Sequence, residues 1–316
     1  MTSANSKNQN RPLPLGKTAH RSKANRKEGI AGTLMASIPV VGFVIFGLIP
    51  LIFALRMAFF DIPGYEIFGG EFVGFDNFGD VLKDSTFWEA LRNTVRLGSA
   101  TLISQVFALI IAYLLSKNPK GKKAFRIIFF IPYVCSVVAI TLMWKNMFNT
   151  NYGIINVILG RTGEENYIDW MGDSKYFSWA VIIMSVWSGM GYGIILYTAA
   201  FTNVNRSMIE AAKIDGANEW TIFWKITLPS ISSTSFYLLV MGVIGALQSF
   251  AVTNVLAPGG GPNGDGVTLV FWLYRRVMEY NNTLGTASAG AWILAMIIMF
   301  ITVAQFVLSK KWVSYD

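Results

Sequence analysis

The chain has 316 residues, of which 53% are hydrophobic and 14% are charged, and its formal net charge is +8. A soluble domain of this length carries about 25% charged residues. Here the charges cluster between long apolar runs, which is typical of a protein that crosses a membrane several times. Cys135 is the only cysteine, which excludes an intrachain disulfide. His20 is the only histidine, which argues against a zinc site or a histidine-based catalytic dyad.

The N-terminal thirty residues differ in composition from the rest of the chain. Residues 1–30 are polar, basic and rich in Asn, Ser and Lys, and they predict a disordered basic cytoplasmic tail. The apolar run that follows reaches about Phe60 with only Arg56 inside it, whereas the core of a signal peptide has about 7–15 residues. We therefore interpret this run as an uncleaved first span, and residues 31–316 as one transmembrane domain.

Apolar runs of about 20 residues, the length that crosses a bilayer as a helix, predict an all-α, polytopic membrane protein with six transmembrane helices. We place the spans at residues 32–55, 94–115, 125–147, 177–201, 233–255 and 287–308. The tail, the loops after spans two and four and the C-terminus hold 17 of the 26 Lys and Arg residues, and the alternate segments hold 13 of the 18 acids. Because Lys and Arg accumulate on the cytoplasmic side, both termini are predicted to be cytoplasmic. The same distribution accounts for the positive charge without a nucleic-acid partner.

Two outer loops carry local patterns. The second half of the first, around FDNFGDVLKDSTFWEALRN, predicts an amphipathic helix at the membrane surface. The last outer loop contains GGGPNGDG, which lacks the Lys-Ser/Thr ending of a P-loop, and we predict a flexible hinge. The run after it contains Arg275 and Arg276, is too charged to span, and predicts a short interfacial helix.

The interior of the predicted spans is polar but neutral. The middle of spans three to six contains no Asp, Glu, Lys, Arg or His, and Lys145 lies near the outer end of span three. Ion-coupled pumps place such groups at mid-membrane. Hydroxyls, amides and aromatic faces suit a neutral, hydroxyl-rich solute such as a sugar. The alternative is that small and polar residues only hold the helices together. The candidates are Tyr133, Ser136, Thr141, Ser185, Trp187, Ser188, Tyr192, Gln248, Ser249, Thr253 and Asn254.

A mixed polar segment, RSMIEAAKIDGANEWTIFWKITLP, separates spans four and five. Ser207 and Glu210 have the spacing of a capping box, and Gly216 can supply the left-handed residue that ends a helix. Asn218 is the predicted cap of a second helix over residues 219–227, which Pro229 ends. The segment therefore predicts a cytoplasmic helix-turn-helix. Its three basic residues are balanced by three acids, which disfavours phosphate binding, and its apolar residues suit a protein partner.

This segment resembles the EAA coupling loop of permease subunits in bacterial ABC importers. Other stretches are similar to the carbohydrate-uptake branch, the larger permeases of the maltose type: FVGFDNF (72–78), FWEALRNT (87–94), FFIPY (129–133), WSGMGY (187–192) and GGGP. The resemblance covers residues 30–316 and identifies residues 31–316 as an ABC transporter transmembrane domain. The loop signature is met by Glu210, Ala211, Ala212, Asp215, Gly216, Ala217, Phe223, Ile226, Leu228 and Pro229.

The resemblance implies a membrane-spanning transport subunit and not an enzyme. It implies a sugar substrate, a di- or oligosaccharide, delivered by an extracellular solute-binding protein. The other implied partners are a second homologous permease subunit and two cytoplasmic ATPase subunits that hold ATP and Mg. The chain itself is expected to hold no cofactor and no metal, and to lie in the cell membrane.

The resemblance also implies which residues act. Its sugar site corresponds to Tyr133 in span three, to Trp187, Gly189 and Tyr192 in span four, and to Gln248 and Ser249 in span five. Together with Ser136 from the neutral polar set, these are the candidate substrate-binding residues. The candidate ATPase-coupling residues are Glu210, Ala211, Ala212, Asp215, Gly216 and Ala217.

Two other transporters stay open as alternatives. Span five of the maltose type carries asparagines where this chain has Ala246, Gln248 and Ser249, which leaves the identity of the sugar open. A permease for another solute such as glycerol-3-phosphate should need a basic residue in its cavity. A gradient-driven secondary transporter should need intramembrane ionisable groups or an internal repeat. The spans show none of these features.

Overall fold

The computed structural model of the chain describes residues 23–62, 66–117, 119–161, 166–279 and 284–314. The predicted tail lies outside the described residues over 1–22, and over residues 23–30 the chain is helical where a disordered segment was expected. The chain divides into two compact units, residues 1–54 and 55–316.

One helical run forms the predicted first span. It consists of α1 (Lys23–Phe43), a π-helical turn (Val44–Leu48) and α2 (Ile49–Ala58). Within the turn, the Ile49 N–H donates to the Val44 carbonyl five residues earlier. The turn ends two residues before Pro50, which has no N–H to continue the α-helical pattern. The helix Glu28–Ala58 is long and apolar enough to cross a membrane.

A small sheet and a short helix follow. Strand β1 (Phe60–Asp61) pairs antiparallel with β2 (Glu71–Phe72), with Phe60 opposite Phe72. Helix α3 (Asp76–Lys83) buries Asn77, whose Nδ2 donates to the carbonyls of Ala58 at 3.1 Å and Phe60 at 3.0 Å. The amphipathic helix predicted in this loop is therefore confirmed.

The long helices α4 (Ser85–Ser116) and α8 (Ser174–Thr202) form the centre of the second unit. Helix α4 begins nine residues before the predicted span two, because Asp84 caps it by accepting from the Thr86 N–H at 2.8 Å. Between α4 and α8 lie α5 (Lys122–Val134), α6 (Val137–Met147) and α7 (Ile154–Ile158). Helices α5 and α12 pack against α8 and α4 respectively.

Predicted spans three and five are broken. Residues 127–134 and 137–147 meet at 108°, because Cys135 and Ser136 have extended backbone. The predicted span five is α12 (Ser232–Leu247) and α13 (Ala251–Leu256), separated at Gln248. Preceding them are α9 (Arg206–Ile214), α10 (Glu219–Ile222), a π-helical turn (Phe223–Thr227) and α11 (Leu228–Ser230).

The last elements are a 3-10 turn (Pro262–Gly264), α14 (Leu269–Met278) and α15 (Leu284–Ser309). The short helix predicted around Arg275 is thus confirmed. Four helices in the described part of the chain are long and apolar enough to span a membrane, and the number rises to six when each of two bent helix pairs counts as one span. Six spans were predicted.

The Gly-rich segment is a packed turn, and the prediction of a flexible hinge is wrong. Asn93 of α4 donates from Nδ2 to the carbonyls of Gly264 at 2.9 Å and Val267 at 3.2 Å. Arg96 pairs with Asp265 at 2.7 Å. These contacts fasten the turn to the N-terminal half of α4.

We predict that Asn93→Ala loosens this turn. The substitution removes the Asn93 donor from the carbonyls of Val267 and Gly264, of which the second still accepts from the Val267 N–H at 2.9 Å. Loss of such a hydrogen bond costs about 1–3 kcal/mol when the acceptor is left unsatisfied. The unfolding temperature of the purified protein should fall by several degrees. Asn146→Ala is the matched control, because Asn146 is exposed and donates only to the Leu142 carbonyl of its own helix. Equal unfolding temperatures for the two variants would contradict the assignment of Asn93 as an anchor.

Candidate functional site

A cavity of about 510 Å³ lies between α4, α8 and α12. Its size is within the range of about 300–1,000 Å³ that is usual for ligand pockets. Tyr133 from α5 and Ser249 from the break after α12 complete its lining. The polar and aromatic side chains of the lining are Thr101, Ser104, Gln105, Tyr133, Ser185, Tyr192, Tyr237 and Ser249.

Three tyrosines form one wall of the cavity. The rings of Tyr133 and Tyr192 are stacked, with centroids 5.2 Å apart and planes 22° apart. The hydroxyl of Tyr192 lies 3.1 Å from that of Tyr237, which joins α8 to α12 by a hydrogen bond. The wall therefore offers aromatic faces beside hydroxyl groups, the combination that contacts both the apolar face and the hydroxyls of a sugar ring.

The opposite side of the cavity is formed by α4. Gln105 sits where α4 approaches α8, and its Oε1 is buried with no hydrogen-bond partner among the described residues. A Cβ at Gly193 would lie 3.0 Å from that oxygen, so the missing side chain leaves room for the amide. The described lining contains no Asp, Glu, Lys, Arg or His. The cavity can therefore hydrogen-bond a neutral solute but cannot neutralise an anion.

The structure brings together four of the seven predicted substrate-binding residues. Tyr133, Gly189, Tyr192 and Ser249 line the cavity. The other three lie outside its lining. A role in binding stays a prediction for Ser136 and Gln248, whereas Trp187 packs in an apolar cluster.

Those three occupy different surroundings. Trp187 packs edge-on against Trp144, with centroids 5.6 Å apart, in an apolar cluster with Met184. Ser136 lies in the break between α5 and α6, and Gln248 ends α12; both are exposed.

The contributions of α4 and of Tyr237 to the cavity were not predicted. Thr101, Ser104 and Gln105 lie in the predicted span two, whereas the predicted binding residues lie in spans three to five. One signal was present, because Gln105 is the only amide side chain within residues 94–115. Tyr237 lies in an apolar run, where a tyrosine is as consistent with packing as with binding.

The predicted helix-turn-helix between spans four and five is confirmed. Gly216 has φ of +81°, and the Ala217 N–H donates to the Ala212 carbonyl at 2.9 Å, which is the hydrogen bond of a Schellman ending. The Asn218 side chain caps the second helix by accepting from the Thr221 N–H at 2.8 Å. The tight turn and the second cap thus match the prediction.

Two local predictions for this segment are wrong. Asn205, and not Ser207, caps the first helix, because its Oδ1 accepts from the Ser207 N–H at 3.0 Å. The second helix also continues past Pro229 to Ser230. A π-helical turn precedes the proline, and the Leu228 N–H donates to the Phe223 carbonyl five residues earlier. This shift of hydrogen-bond register accommodates the residue that has no N–H.

The predicted coupling residues occupy the surface of this segment. Glu210, Ala211, Asp215 and Gly216 are exposed, and Ala212 and Ala217 are partly buried. Large apolar side chains project beside them: Ile214 is 87% exposed and Trp220 is 71% exposed. Exposed apolar groups of this size indicate a surface that another protein covers.

Comparison with known proteins agrees with these features. Residues 104–314 match the family model described as binding-protein-dependent transport system inner membrane component. The chain is 30% identical to the lactose transport system permease protein LacF of Rhizobium radiobacter, over 93% of this chain and 99% of that protein. It is 30% identical to the sn-glycerol-3-phosphate transport system permease protein UgpA of Escherichia coli, over 79% of this chain and 84% of that protein.

A solved structure shares the fold. It is a bacterial alginate ABC transporter in complex with an alginate pentasaccharide-bound periplasmic protein. One of its chains superposes with a TM-score of 0.78 at 22% identity, over 92% of this chain and 98% of that chain. The chain belongs to the family of binding-protein-dependent transport system inner membrane components, the membrane permease subunits of ABC transporters.

Proposed function

We propose that this permease subunit imports a neutral sugar, a di- or oligosaccharide, which an extracellular solute-binding protein delivers and ATP hydrolysis on separate subunits drives. The observation that supports this proposal is the cavity wall of stacked Tyr133 and Tyr192 beside the Tyr237 hydroxyl, opposite the amide of Gln105. An aromatic ring packs against the C–H face of a pyranose, and the neighbouring hydroxyls and amide bind its hydroxyl groups.

The absence of charge in the described lining favours a neutral cargo. Burying a phosphate without a cationic partner costs far more free energy than a neutral ligand with satisfied hydrogen bonds. An importer of glycerol-3-phosphate should place Lys or Arg in its cavity, and the lining contains neither. A gradient-driven transporter should hold an acidic, basic or histidine side chain in its cavity. The described lining contains none of these, which argues against that class of transporter.

A competition experiment separates the two cargo classes. The permease, its ATPase subunits and its binding protein are reconstituted in liposomes, and uptake is measured with a panel of neutral glycans. We expect ATP-dependent uptake of at least one neutral di- or oligosaccharide, and no competition from a hundredfold excess of glycerol-3-phosphate. Uptake of glycerol-3-phosphate without uptake of any glycan would refute the proposed cargo.

Tyr192 and Trp187 provide a contrast between binding and packing. Tyr192→Ala removes a ring and a hydroxyl from the cavity wall. It should raise the sugar concentration that gives half-maximal uptake about ten- to a hundredfold, since the loss of one binding partner costs about 1–3 kcal/mol. Trp187→Ala removes an aromatic contact with Trp144 and should lower the unfolding temperature with half-saturation unchanged. Equal shifts of half-saturation in both variants would place the sugar site elsewhere.

We propose that the helix-turn-helix is the docking site of a cytoplasmic ATPase subunit. Its exposed Ile214 and Trp220, together with the small side chains of Ala211 and Ala212, support close approach of a protein partner. The proposed assembly holds two ATPase subunits, which bind ATP and Mg, and a second homologous permease subunit. The excess of Lys and Arg in the tail, in the loops after spans two and four and at the C-terminus supports cytoplasmic termini.

Gly216 allows this docking site to be tested through backbone geometry alone. No neighbouring atom lies within 4 Å of the position of its Cβ, so the cost of a side chain within the chain is the left-handed backbone. Gly216→Val should abolish uptake, whereas Gly216→Asn should retain much of it, because asparagine tolerates this conformation.

The control for Gly216 is a second glycine of the same kind. Gly74 has φ of +61° and no atom within 4 Å of its Cβ position, but it lies in the first outer loop. Gly74→Val should therefore leave the ATPase bound and uptake largely intact. Wild-type uptake by Gly216→Val would show that the turn is not required for coupling.

A further inference from the structure

One carboxylate joins both helices of the helix-turn-helix to the inner end of α4. Glu219, the first residue of α10, forms an ion pair with Lys117, which directly follows α4. The other oxygen of the same carboxylate lies 3.2 Å from the Nζ of Lys213 in α9. The Tyr113 hydroxyl of α4 lies 3.4 Å from Glu219. Glu219 therefore contacts α4 and α9 at once.

An aromatic contact reinforces this junction. The Tyr113 ring meets Phe223 edge-on, with centroids 4.7 Å apart and planes 62° apart. On another side it lies 5.9 Å from Phe201 near the end of α8. The Nζ of Lys117 lies 4.9 Å above the same ring. Tyr113 thus packs between α8 and the second helix of the loop and holds the lysine beside Glu219.

Helix α4 is suited to carry a displacement away from this junction. It is unbroken over Ser85–Ser116, whereas spans three and five are each interrupted. At 1.5 Å per residue, Tyr113 lies about 12 Å along the axis from Gln105 in the cavity, and about 26 Å from Arg96. Arg96 and Asn93 in turn hold the Gly-rich turn. One rigid helix therefore contacts the coupling loop, the cavity and the outer turn.

We propose that Lys117 and Tyr113 are positioning residues that fasten the coupling loop to α4, so that movement of the loop on the ATPase is passed through α4 to the cavity wall. This inference rests on the proposed function. It assigns a role to two side chains outside the EAA signature, and to Glu219, which lies between Ala217 and Phe223 and is not one of the signature residues.

The simpler explanation is a surface ion pair with no role in transport. Such pairs contribute little to stability, and here both side chains are about half exposed. The hydrogen bond to Glu219 raises the pKa of Lys117 above its ordinary value of 10.5, so the lysine keeps its charge throughout the physiological range. Because the pair contributes so little to stability, a role in coupling should appear as altered transport per ATP in a folded, assembled complex.

The test is the number of ATP molecules hydrolysed per sugar imported by the complete complex in liposomes. Lys117→Glu and Glu219→Lys each replace an attraction with a repulsion, and each should raise this ratio about fivefold or more. In a Lys213→Gln background, which removes the second cation beside Glu219, the double variant with the charges of Lys117 and Glu219 exchanged should return to within about twofold of that background. Lys120→Glu is the matched control, because Lys120 is exposed and has no ion pair with Glu219 within the described part of the chain; its ratio should not change.

Two neutral variants keep the inference falsifiable if a reversed charge prevents assembly. Lys117→Gln and Tyr113→Leu should raise the ratio about two- to threefold, since each removes an attraction without adding repulsion. Wild-type ratios in all single variants, or no recovery in the exchanged double variant, would overturn the inference while the proposed function stands. Absence of ATP-driven sugar uptake by the wild-type complex would instead overturn the proposed function, and the inference with it.

Discussion

Close packing of α4 against α8 is the contact on which the rest of the second unit depends. Lipid is as apolar as a leucine side chain, so helices in a membrane associate through van der Waals contact between small residues. Ala108 of α4 faces Gly193 of α8 so closely that a Cβ there would lie 2.7 Å from the alanine Cβ. One turn away, Ser104 and Gln105 of α4 line the cavity. The same helix then meets the Gly-rich turn at one end and the coupling loop at the other.

The breaks in spans three and five both lie beside the cavity, and a physical constraint on the backbone explains this position. Backbone that leaves the helical hydrogen-bond pattern is tolerated at membrane depth only where protein or a water-filled cavity surrounds it. Tyr133 lies two residues before the break between α5 and α6, and Ser249 lies in the break between α12 and α13. Both residues line the cavity. The breaks thus border a cavity where a polar solute can satisfy exposed backbone groups.

The positions of the spans and of the helix-turn-helix could be predicted from the sequence, because each depends on a local pattern of residues. The length of each apolar run predicts the position of a membrane-spanning helix. Gly216 predicts the turn and Asn218 predicts the cap of the second helix, because no equally suitable residue stands directly beside either of them. Asn205 and Ser207 are both good caps two residues apart, and local pattern does not decide between them. The breaks at Cys135 and Gln248 lie inside apolar runs without such a signal. Trp187 and Tyr192 lie on the same helix, and the sequence does not show which of them lines the cavity. Tertiary packing decides this, because it places Trp187 against Trp144 and Tyr192 in the cavity wall.

The central claim is that the cavity between α4, α8 and α12 is where the transported sugar binds. The most direct measurement is a cryo-electron microscopy structure of the assembled transporter, trapped with its glycan. The account predicts density for a pyranose ring against Tyr133 and Tyr192, with hydroxyls within hydrogen-bond distance of Tyr237 or Gln105. Ordered glycan density elsewhere in the permease, with this cavity empty or filled by side chains, would contradict it.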